Sequence, residues 1–556
     1  MIEIDENGDM VGIDMGMCNT VISIGNQGRS MIIPDRSGVE QIPSYVDFKD
    51  NGSIIVGAAA KHNYSVSARN SNLVLGSKRI IGKRFDDPAV DFVRKYSSCQ
   101  VENDNGFPVF KIGSTGRCVT PEEVAALIVR NALELVRERT ERPISRICVT
   151  IPANFGNDER AKTLQAVMEL GIAEERIEVI NEPTAAAIAY TVENNVANAR
   201  ILVYDFGGGT FDVSIVEIVN GGIEVKKYGG DSRLGGADID AILFEWIKEL
   251  YYNSFGTPLI PDDFNEMMKR RYMQNLMAKV EECKMEFQLS ATVTFSMNFI
   301  SNVRPANAAQ ADEFSFDLTR EEFNRRILHK VDKTIEVVED VMGQYGITKD
   351  DIDRVLLVGG SSRLSLVNDR LCEIFGAEKI SRQTNTDLCV AKGACLYLTQ
   401  ERPVNEIIAY SLDKMIDGNR VLCVIPSQTS LPAEFTVTTY TTRDYQDCVE
   451  SFVLQGNQKN RMDFCPFDEH HFKKLAPYSF TGFQIKPMGS VSFDTTFKIE
   501  KNGIVYITVV EKNTGRVLLS SHKVVYNYSS VCYTKYDLCT NRLAQETDSL
   551  DSTSIR

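Results

Sequence analysis

Apolar and polar positions follow two different patterns along the chain, and the change falls near residue 400. Before it, short runs of branched apolar side chains alternate with longer amphipathic stretches, which predicts buried strands between helices. The clearest predicted strands are Ile147–Ile151, Arg200–Tyr204 and Arg354–Val358. The clearest predicted helices are Pro121–Thr140, Asp158–Leu170 and Arg320–Gln344. Such alternation is typical of an α/β domain.

The rest of the chain consists mainly of β-rich runs. We predict strands over Glu434–Thr442, Ser490–Glu500 and Ile504–Glu511, and the last two alternate clearly between apolar and polar residues. Asn502-Gly503 lies between them and is a strong hairpin signal. We therefore expect an all-β domain here, followed by a polar tail.

Composition excludes several classes of protein. Hydrophobic residues are 43% and charged residues 25% of the 556, which is typical of a folded globular chain. The formal net charge of −15 disfavours a general binder of nucleic acid or anionic membranes. No apolar stretch of about 18 residues occurs, and no basic flank precedes one at the N-terminus, so we expect neither a membrane span nor a signal peptide. Thirteen cysteines without a CxxC pair indicate reduced thiols and a cytoplasmic location.

One short motif occurs twice. Val11–Gly16 and Leu202–Gly207 each contain an apolar run, an aspartate, one apolar residue and a glycine. A β-rich run follows each motif, at Val21–Ile24 and at Phe211–Ile218. Both motifs therefore predict a strand, a tight glycine turn and a second strand. Two such hairpins indicate two similar lobes that face a shared cleft.

These glycine turns are suited to binding phosphate, because no Cβ blocks the approach of an anion to the backbone N–H groups. The turn Gly207-Gly208-Gly209-Thr210 is the stronger candidate, and Gly16 with its neighbours is the weaker. Asp14, Asp205 and Asp212 would repel a polyphosphate, so they indicate a Mg²⁺ ion held through several waters. For either turn alone, an ordinary hairpin with a capping aspartate is the better interpretation. The matched pair favours the phosphate site.

Several longer motifs carry a family resemblance. They are GIDMGMCNT (12–20), SKRIIGKRFDDP (77–88), VTIPANFGNDERAKT (149–163), VINEPTAAAIAY (179–190), YDFGGGTFDVSIVEI (204–218), GDSRLGGADID (230–240) and VLLVGGSSRL (355–364). They are collinear and span most of the first four hundred residues. On these motifs the chain resembles the 70-kDa heat-shock protein (heat shock protein 70) chaperone family.

The resemblance implies a domain organisation. Residues 1–400 would form an actin-like, two-lobed nucleotide-binding (ATPase) domain of the α/β class, and residues 401–412 an interdomain linker. Residues 413–525 would form an all-β sandwich that binds peptide, and residues 526–556 a polar tail. The implied cofactors are ATP or ADP with Mg²⁺. The implied partners are unfolded or extended polypeptides, J-domain co-chaperones and nucleotide exchange factors, with no nucleic acid and no membrane.

The resemblance also implies roles for individual residues. Four would act in ATP hydrolysis: Lys78, Glu182, Asp205 and Asp14. Four would hold Mg²⁺, largely through water: Asp14, Glu182, Asp205 and Asp212. The nucleotide itself would contact Gly16, Met17, Cys18, Asn19, Lys78, Gly207, Gly208, Gly209, Thr210, Glu281, Lys284, Gly359, Gly360, Ser361, Ser362, Arg363 and Asp387. Pro152 and Arg160 match the pair that relays the nucleotide state between domains in this family.

The chain departs from the family pattern in three places. Met17 and Cys18 stand where the family has two adjacent threonines, so two hydroxyl donors to phosphate are missing, each worth about 1.5 to 3 kcal/mol. The linker keeps Glu406 and two isoleucines, Ile407 and Ile408, instead of a run of leucines. Only about thirty residues follow the β domain, so we expect the helical lid of the family to be absent.

Three functions are weighed. The first is a slow ATPase coupled to peptide binding, which the carboxylates and Lys78 favour. The second is a chaperone-like scaffold or co-chaperone that binds nucleotide with weak hydrolysis or none, which Met17, Cys18 and the missing lid favour. The third is a sugar kinase, which needs a catalytic aspartate in a sugar pocket, and no motif supplies one.

Overall fold

The computed structural model describes residues 3–26, 28–66, 72–97, 99–113, 115–299, 312–381, 385, 387–400, 402–416, 419–526, 536–537 and 542–543. Its helices are α1 (Ala58–Val66), α2 (Ser77–Ile80), α3 (Pro88–Tyr96), α4 (Pro121–Thr140), α5 (Asn157–Met168), α6 (Glu182–Glu193), α7 (Gly236–Phe255), α8 (Glu266–Glu286), α9 (Arg320–Tyr345), α10 (Ser365–Phe375) and α11 (Cys389–Thr399). None of these described helices is long and apolar enough to cross a membrane.

The strands of the nucleotide-binding region are β1 (Ile4–Met15), β2 (Asn19–Asn26), β3 (Arg29–Ile32), β4 (Ile42–Pro43), β5 (Val46–Phe48), β6 (Ile54–Val56), β7 (Leu73–Val74), β8 (Gln100–Asp104), β9 (Phe107–Lys111), β10 (Cys118–Val119), β11 (Ile144–Ile151), β12 (Ile177–Asn181), β13 (Ala199–Phe206), β14 (Phe211–Val219), β15 (Gly222–Asp231), β16 (Thr292–Asn298), β17 (Glu313–Thr319), β18 (Arg354–Val358) and β19 (Ile380–Ser381).

The remaining strands are β20 (Val404–Asn405), β21 (Ser411–Ile416), β22 (Arg420–Ile425), β23 (Ala433–Tyr440), β24 (Cys448–Gly456), β25 (Phe464–Pro466), β26 (Lys473–Thr481), β27 (Ser492–Ile499), β28 (Val505–Glu511), β29 (Arg516–Lys523), β30 (Tyr536–Asp537) and β31 (Arg542–Leu543). Most of the predicted polar tail, 526–556, lies outside the described residues.

The two lobes contain sheets of the same design. The first has the order β12-β11-β1-β2-β3, and the second has β19-β18-β13-β14-β15 with β20 at its edge. In each, parallel strands lead into an antiparallel hairpin, β1–β2 in one lobe and β13–β14 in the other. The repeated hairpin predicted from sequence is therefore confirmed, and so is the α/β class.

Helices α6 and α11 cross closely beneath the cleft. Gly393 of α11 lies against Ala185 of α6, and a Cβ on Gly393 would stand 1.7 Å from the Ala185 carbonyl oxygen. Only glycine permits this approach. The packing of α6 matters for the site, because Glu182 is its first residue.

Helix α4 has the bounds that the sequence predicted, because its start is specified locally. The Thr120 hydroxyl accepts a hydrogen bond from the Glu123 N–H at 3.1 Å, and the Glu123 carboxylate accepts one from the Thr120 N–H at 2.8 Å. This capping box, followed by Pro121, satisfies two N–H groups that a helix start leaves unpaired.

The β domain is a sandwich. Its two sheets have the orders β25-β22-β21-β24-β26 and β23-β27-β28-β29, and buried side chains such as Phe493, Phe497 and Ile507 fill the space between them. The predicted turn at Asn502-Gly503 joins β27 to β28, and Gly503 has a φ of 78° that glycine adopts without strain.

The linker is packed against the nucleotide-binding region. Val404 pairs with Ile223, so β20 extends the sheet of the second lobe. Ile407 and Ile408 are buried, and the Tyr228 hydroxyl donates to the Ile407 carbonyl oxygen at 3.1 Å. Ile407 packs in a core of the nucleotide-binding region and Ile408 in the core of the sandwich, so the linker is anchored on both sides.

Candidate functional site

A cavity of about 320 Å³ lies between the two lobes, and both glycine turns face it. Most of the predicted site residues line it: Asp14, Gly16, Met17, Cys18, Asn19, Lys78, Glu182, Asp205, Gly207, Gly208, Gly209, Thr210, Glu281, Lys284, Gly359, Gly360, Ser361, Arg363 and Asp387. Asp212 and Ser362 do not line it. The Ser362 hydroxyl donates to the Gly359 carbonyl oxygen at 2.7 Å, and a contact between Ser362 and nucleotide stays a prediction.

The turn of the second lobe is held from behind. The carbonyl oxygens of Gly207 and Gly208 accept hydrogen bonds from the backbone N–H groups of Gly236 and Ala237, at 2.9 and 2.8 Å. These donors belong to the first turn of α7. Because its carbonyls are engaged there, the turn can direct other N–H groups toward the cavity. Within the described residues, no backbone acceptor pairs with the N–H of Gly208 or Gly209.

The turn of the first lobe is fixed by Ser44. Its hydroxyl donates to the Gly16 carbonyl oxygen and its N–H to the Cys18 carbonyl oxygen, both at 2.8 Å. A Cβ on Gly16 would stand 2.2 Å from the Asn19 carbonyl oxygen, so the turn closes only with glycine there.

Carboxylates gather at one end of the cavity. Burial, reinforced by Glu182, raises the pKa of Asp14 to about 7 and that of Asp212 to about 7. The same two causes raise the pKa of Asp205 well above its ordinary value. The Lys78 ammonium pairs with the Glu182 carboxylate in this cluster.

This cluster fits a divalent cation. Asp205 and Asp212 face each other across the β13–β14 hairpin, and each keeps one buried carboxylate oxygen without a hydrogen-bond partner. Among the described residues, no three acidic, histidine or cysteine side chains converge closely enough to be direct ligands together. An ion would therefore be held largely through waters, as Mg²⁺ commonly is.

The opposite end of the cavity carries paired charges. Lys284 donates to the Asp240 carboxylate at 2.8 Å and to the Gly236 carbonyl oxygen at 3.2 Å. Arg363 pairs with Asp387. The Lys61 ammonium reaches Glu281 from the other lobe at 3.4 Å. This end is suited to the polar groups of a nucleoside.

Sequence reasoning missed three residues that position these groups. Thr150 donates to Asp14 at 3.2 Å, Gln41 donates to Asp387 at 2.8 Å, and Asp240 holds Lys284. Gln41 comes from a distant part of the chain, and no local pattern marks it. Thr150 lies within the VTIPANFGNDERAKT motif (149–163) and could have been noticed there. Asp240 lies within the GDSRLGGADID motif and could have been noticed there.

The fold and the site together define a two-lobed, actin-like nucleotide-binding protein joined to a β-sandwich. The family model for Hsp70 protein matches residues 10–527. The chain is 31% identical over 512 residues to a chaperone protein DnaK of Thermus thermophilus, covering 91% of this chain and 79% of that protein. It is 29% identical over 515 residues to chaperone protein DnaK 3 of a Synechococcus species, covering 92% and 75%. The chain belongs to the Hsp70 family.

Proposed function

We propose that this chain is an ATP-dependent, chaperone-like protein that binds ATP with Mg²⁺, hydrolyses it slowly and couples this to the binding of unfolded polypeptide. The observation that carries the proposal is the convergence of both glycine turns, three carboxylates and Lys78 on one cavity. Membership of a family whose relatives are named chaperone proteins supports the chaperone role. The proposed partners are unfolded polypeptides, J-domain co-chaperones and nucleotide exchange factors, in the cytoplasm.

The chain's own residues divide the chemical work. Lys78 is held in the cavity by Glu182, so its ammonium is a fixed positive charge beside the place of a terminal phosphate. Asp14 and Asp205 are the carboxylates that would orient the attacking water by accepting its hydrogens. A bound Mg²⁺ would offset the negative charge that these groups share with the phosphates.

Coupling between the site and the β domain has a physical route. The Asn154 N–H donates to Asp212 at 3.2 Å, and the Asn154 carbonyl oxygen accepts from the hydroxyl of linker residue Tyr410 at 3.2 Å. Arg160 donates to Asn181 at 2.7 Å, and Asn181 donates to linker residue Glu406 at 2.8 Å. Arg160 also donates to the carbonyl oxygen of Phe155, which lines the cavity, at 3.0 Å. This chain of contacts from the cavity wall to the linker supports a relay role for Arg160.

The second candidate is a chaperone-like scaffold that binds nucleotide and hydrolyses it weakly or not at all. The observation that favours it is the presence of Met17 and Cys18 in the cavity wall, where neither side chain offers a hydroxyl donor.

The test is single-turnover ATP hydrolysis with Mg²⁺, with and without an unfolded polypeptide, combined with melting curves. We expect Mg²⁺-ATP to raise the melting temperature and the polypeptide to change the hydrolysis rate. Lys78→Ala should slow hydrolysis by about 10²-fold or more, whereas the exposed Lys95→Ala should not. Stabilisation by ATP with no hydrolysis above the Lys78→Ala background would favour the scaffold. No stabilisation by any nucleotide would refute both.

A further inference from the structure

We propose that Met17 occupies the place of a terminal phosphate between the two phosphate loops, and that this makes the site prefer a nucleoside diphosphate to a triphosphate. The inference rests on the proposed function, because it concerns the specificity of the same site. It assigns to Met17 a role as a specificity-determining residue, beyond the loss of a hydroxyl donor.

The proposal starts from the position of the Met17 side chain. A Cβ built on Gly209 would stand 2.2 Å from Met17 Sδ and 3.2 Å from Met17 Cε. The thioether of the first lobe therefore lies directly on the backbone of the phosphate turn of the second lobe. Gly209 cannot shift away from Met17, because Gly235 packs behind it. A Cβ built on Gly235 would stand 2.5 Å from Gly209 Cα. This side chain therefore occupies the space between Gly209 and the turn of the first lobe.

The order of Lys284, Gly208 and Gly209 along the cavity indicates which phosphate Met17 would displace. A Cβ built on Gly236 would stand 3.2 Å from Lys284 Nζ and 3.5 Å from Gly208 Cα. Gly208 therefore lies near the nucleoside end of the cavity. Cys18 lies against Gly208: a Cβ built on Gly208 would stand 2.7 Å from Cys18 Sγ. Met17 Sδ lies on Gly209, which packs against Gly235 and is one residue further from Gly236 and Lys284; only Met17 Cε also comes near Gly208, 3.5 Å from a Cβ built there. A nucleotide chain that enters from Lys284 therefore reaches Met17 last.

The side chains of Cys18 and Met17 differ in size and in how they would interact with phosphate. Cys18 is small and approaches the loop through Sγ and Cβ, so it takes up less of the space beside Gly208, where the inner phosphates would lie, than Met17 takes up beside Gly209. Met17 is long, apolar and without a donor, so a terminal phosphate gains nothing from it and must push it aside. The side chain is unbranched and has three rotatable bonds, so it can turn away at a modest cost. ATP can therefore bind, but displacing Met17 weakens its affinity. ADP binds without displacing Met17.

The test compares the dissociation constants of ADP and of the non-hydrolysable adenosine 5′-(β,γ-imido)triphosphate, both with Mg²⁺, by titration calorimetry on the full chain. We expect the wild-type protein to bind ADP about tenfold more tightly, equivalent to 1.4 kcal/mol. Met17→Ala removes the obstruction without adding a donor, and should bring the ratio close to one by tightening triphosphate binding. Met17→Thr also removes the obstruction and adds a hydroxyl donor, so it should tighten triphosphate binding at least as much as Met17→Ala. Melting curves of each variant establish that it is folded.

Met285→Ala is the matched control, because Met285 lines the same cavity at its nucleoside end. It should change both dissociation constants by the same factor and leave their ratio unchanged. Equal affinities in the wild-type protein, or a ratio that Met17→Ala leaves unaltered, would overturn the inference while the proposed function stands. A folded wild-type protein that binds neither nucleotide would overturn both.

Discussion

The side-chain carboxamide of Asn157 accepts a hydrogen bond from the backbone N–H of Val505 at 2.9 Å, and so joins α5 of the nucleotide-binding region to β28 of the sandwich. The same carboxamide donates to the Val524 carbonyl oxygen at 2.5 Å. The Asn157 N–H in turn donates to the Gln455 side chain at 3.3 Å. One residue of 1% exposure thus connects three segments of the β domain to the first lobe.

Replacing Asn157 with leucine should loosen the β domain from the nucleotide-binding region. The N–H of Val505 and the carbonyl of Val524 would lose their partner in a buried interface, which costs about 1 to 3 kcal/mol for each group. We expect faster protease cleavage within the linker 401–412. Asn194→Leu changes an exposed asparagine at the end of α6 and is the control. A linker that is cleaved at the wild-type rate in Asn157→Leu would contradict this account.

A buried charge cluster lies at the same interface. Lys473 of the β domain contacts Asp158 at 3.1 Å and Glu159 at 3.3 Å, and Lys83 contacts Glu159 at 2.8 Å. Burial opposes the ionisation of Glu159, but the two lysines outweigh it and lower its pKa to about 2. Glu159 therefore contributes stability above its ordinary pKa near 4.5, and this is lost as the pH falls toward 2.

Lys473→Met should destabilise the protein by about 1 to 3 kcal/mol near neutral pH, because the buried Asp158 loses its cation whereas Glu159 keeps Lys83. The neighbouring Lys474 pairs with Glu469 at the surface, so Lys474→Met should cost less than about 1 kcal/mol. Denaturant unfolding of the three proteins measures both values. The difference in the free energy of unfolding between wild type and Lys473→Met should become smaller as the pH is lowered from 4.5 toward 2. Equal effects of the two lysine substitutions would refute the importance of the cluster.

Asp413 gives the β domain a pH dependence of the opposite sign. Burial raises its pKa to about 7, although hydrogen bonds from Ser411 and Cys423 oppose the shift. Since the folded state holds the proton that the unfolded state releases, the free energy of unfolding should fall as the pH rises from about 4 to 7, by up to about 4 kcal/mol. Asp413→Asn should remove this part of the pH dependence in denaturant titrations. Asp447→Asn, at an exposed position, should not.

The double substitution Met17→Thr with Cys18→Thr tests what limits turnover. Two hydroxyl donors would then face the phosphates, and each bond that forms only in the transition state and is worth about 1.4 kcal/mol should raise the rate about tenfold. The rate constant is measured in single-turnover hydrolysis at saturating ATP, where differences in affinity do not enter. An unchanged rate constant would mean that the missing hydroxyls are not limiting, and would favour the scaffold.

Local patterns predicted most of the fold because the responsible interactions are local. Helix α4 is delimited by Thr120, Pro121 and Glu123, which act within one turn of the chain. The β27–β28 hairpin is specified by Asn502-Gly503 in the same way. Strand ends were less well predicted: the run Glu434–Thr442 became Ala433–Tyr440, because pairing with β27 decides where a strand stops.

The family, the repeated glycine hairpins and more than half of the residues that line the cavity could be predicted from the sequence, because phosphate-binding turns are short and carry their glycines and aspartates at fixed spacing. Three contacts were visible only in the folded structure: the Ser362 hydroxyl donates to the Gly359 carbonyl oxygen, Thr150 donates to Asp14, and Met17 lies on Gly209. The last two depend on which side chains from distant segments meet. The packing of the two lobes and of helices α6 and α11 determines which of these side chains meet, and no local sequence pattern predicts it.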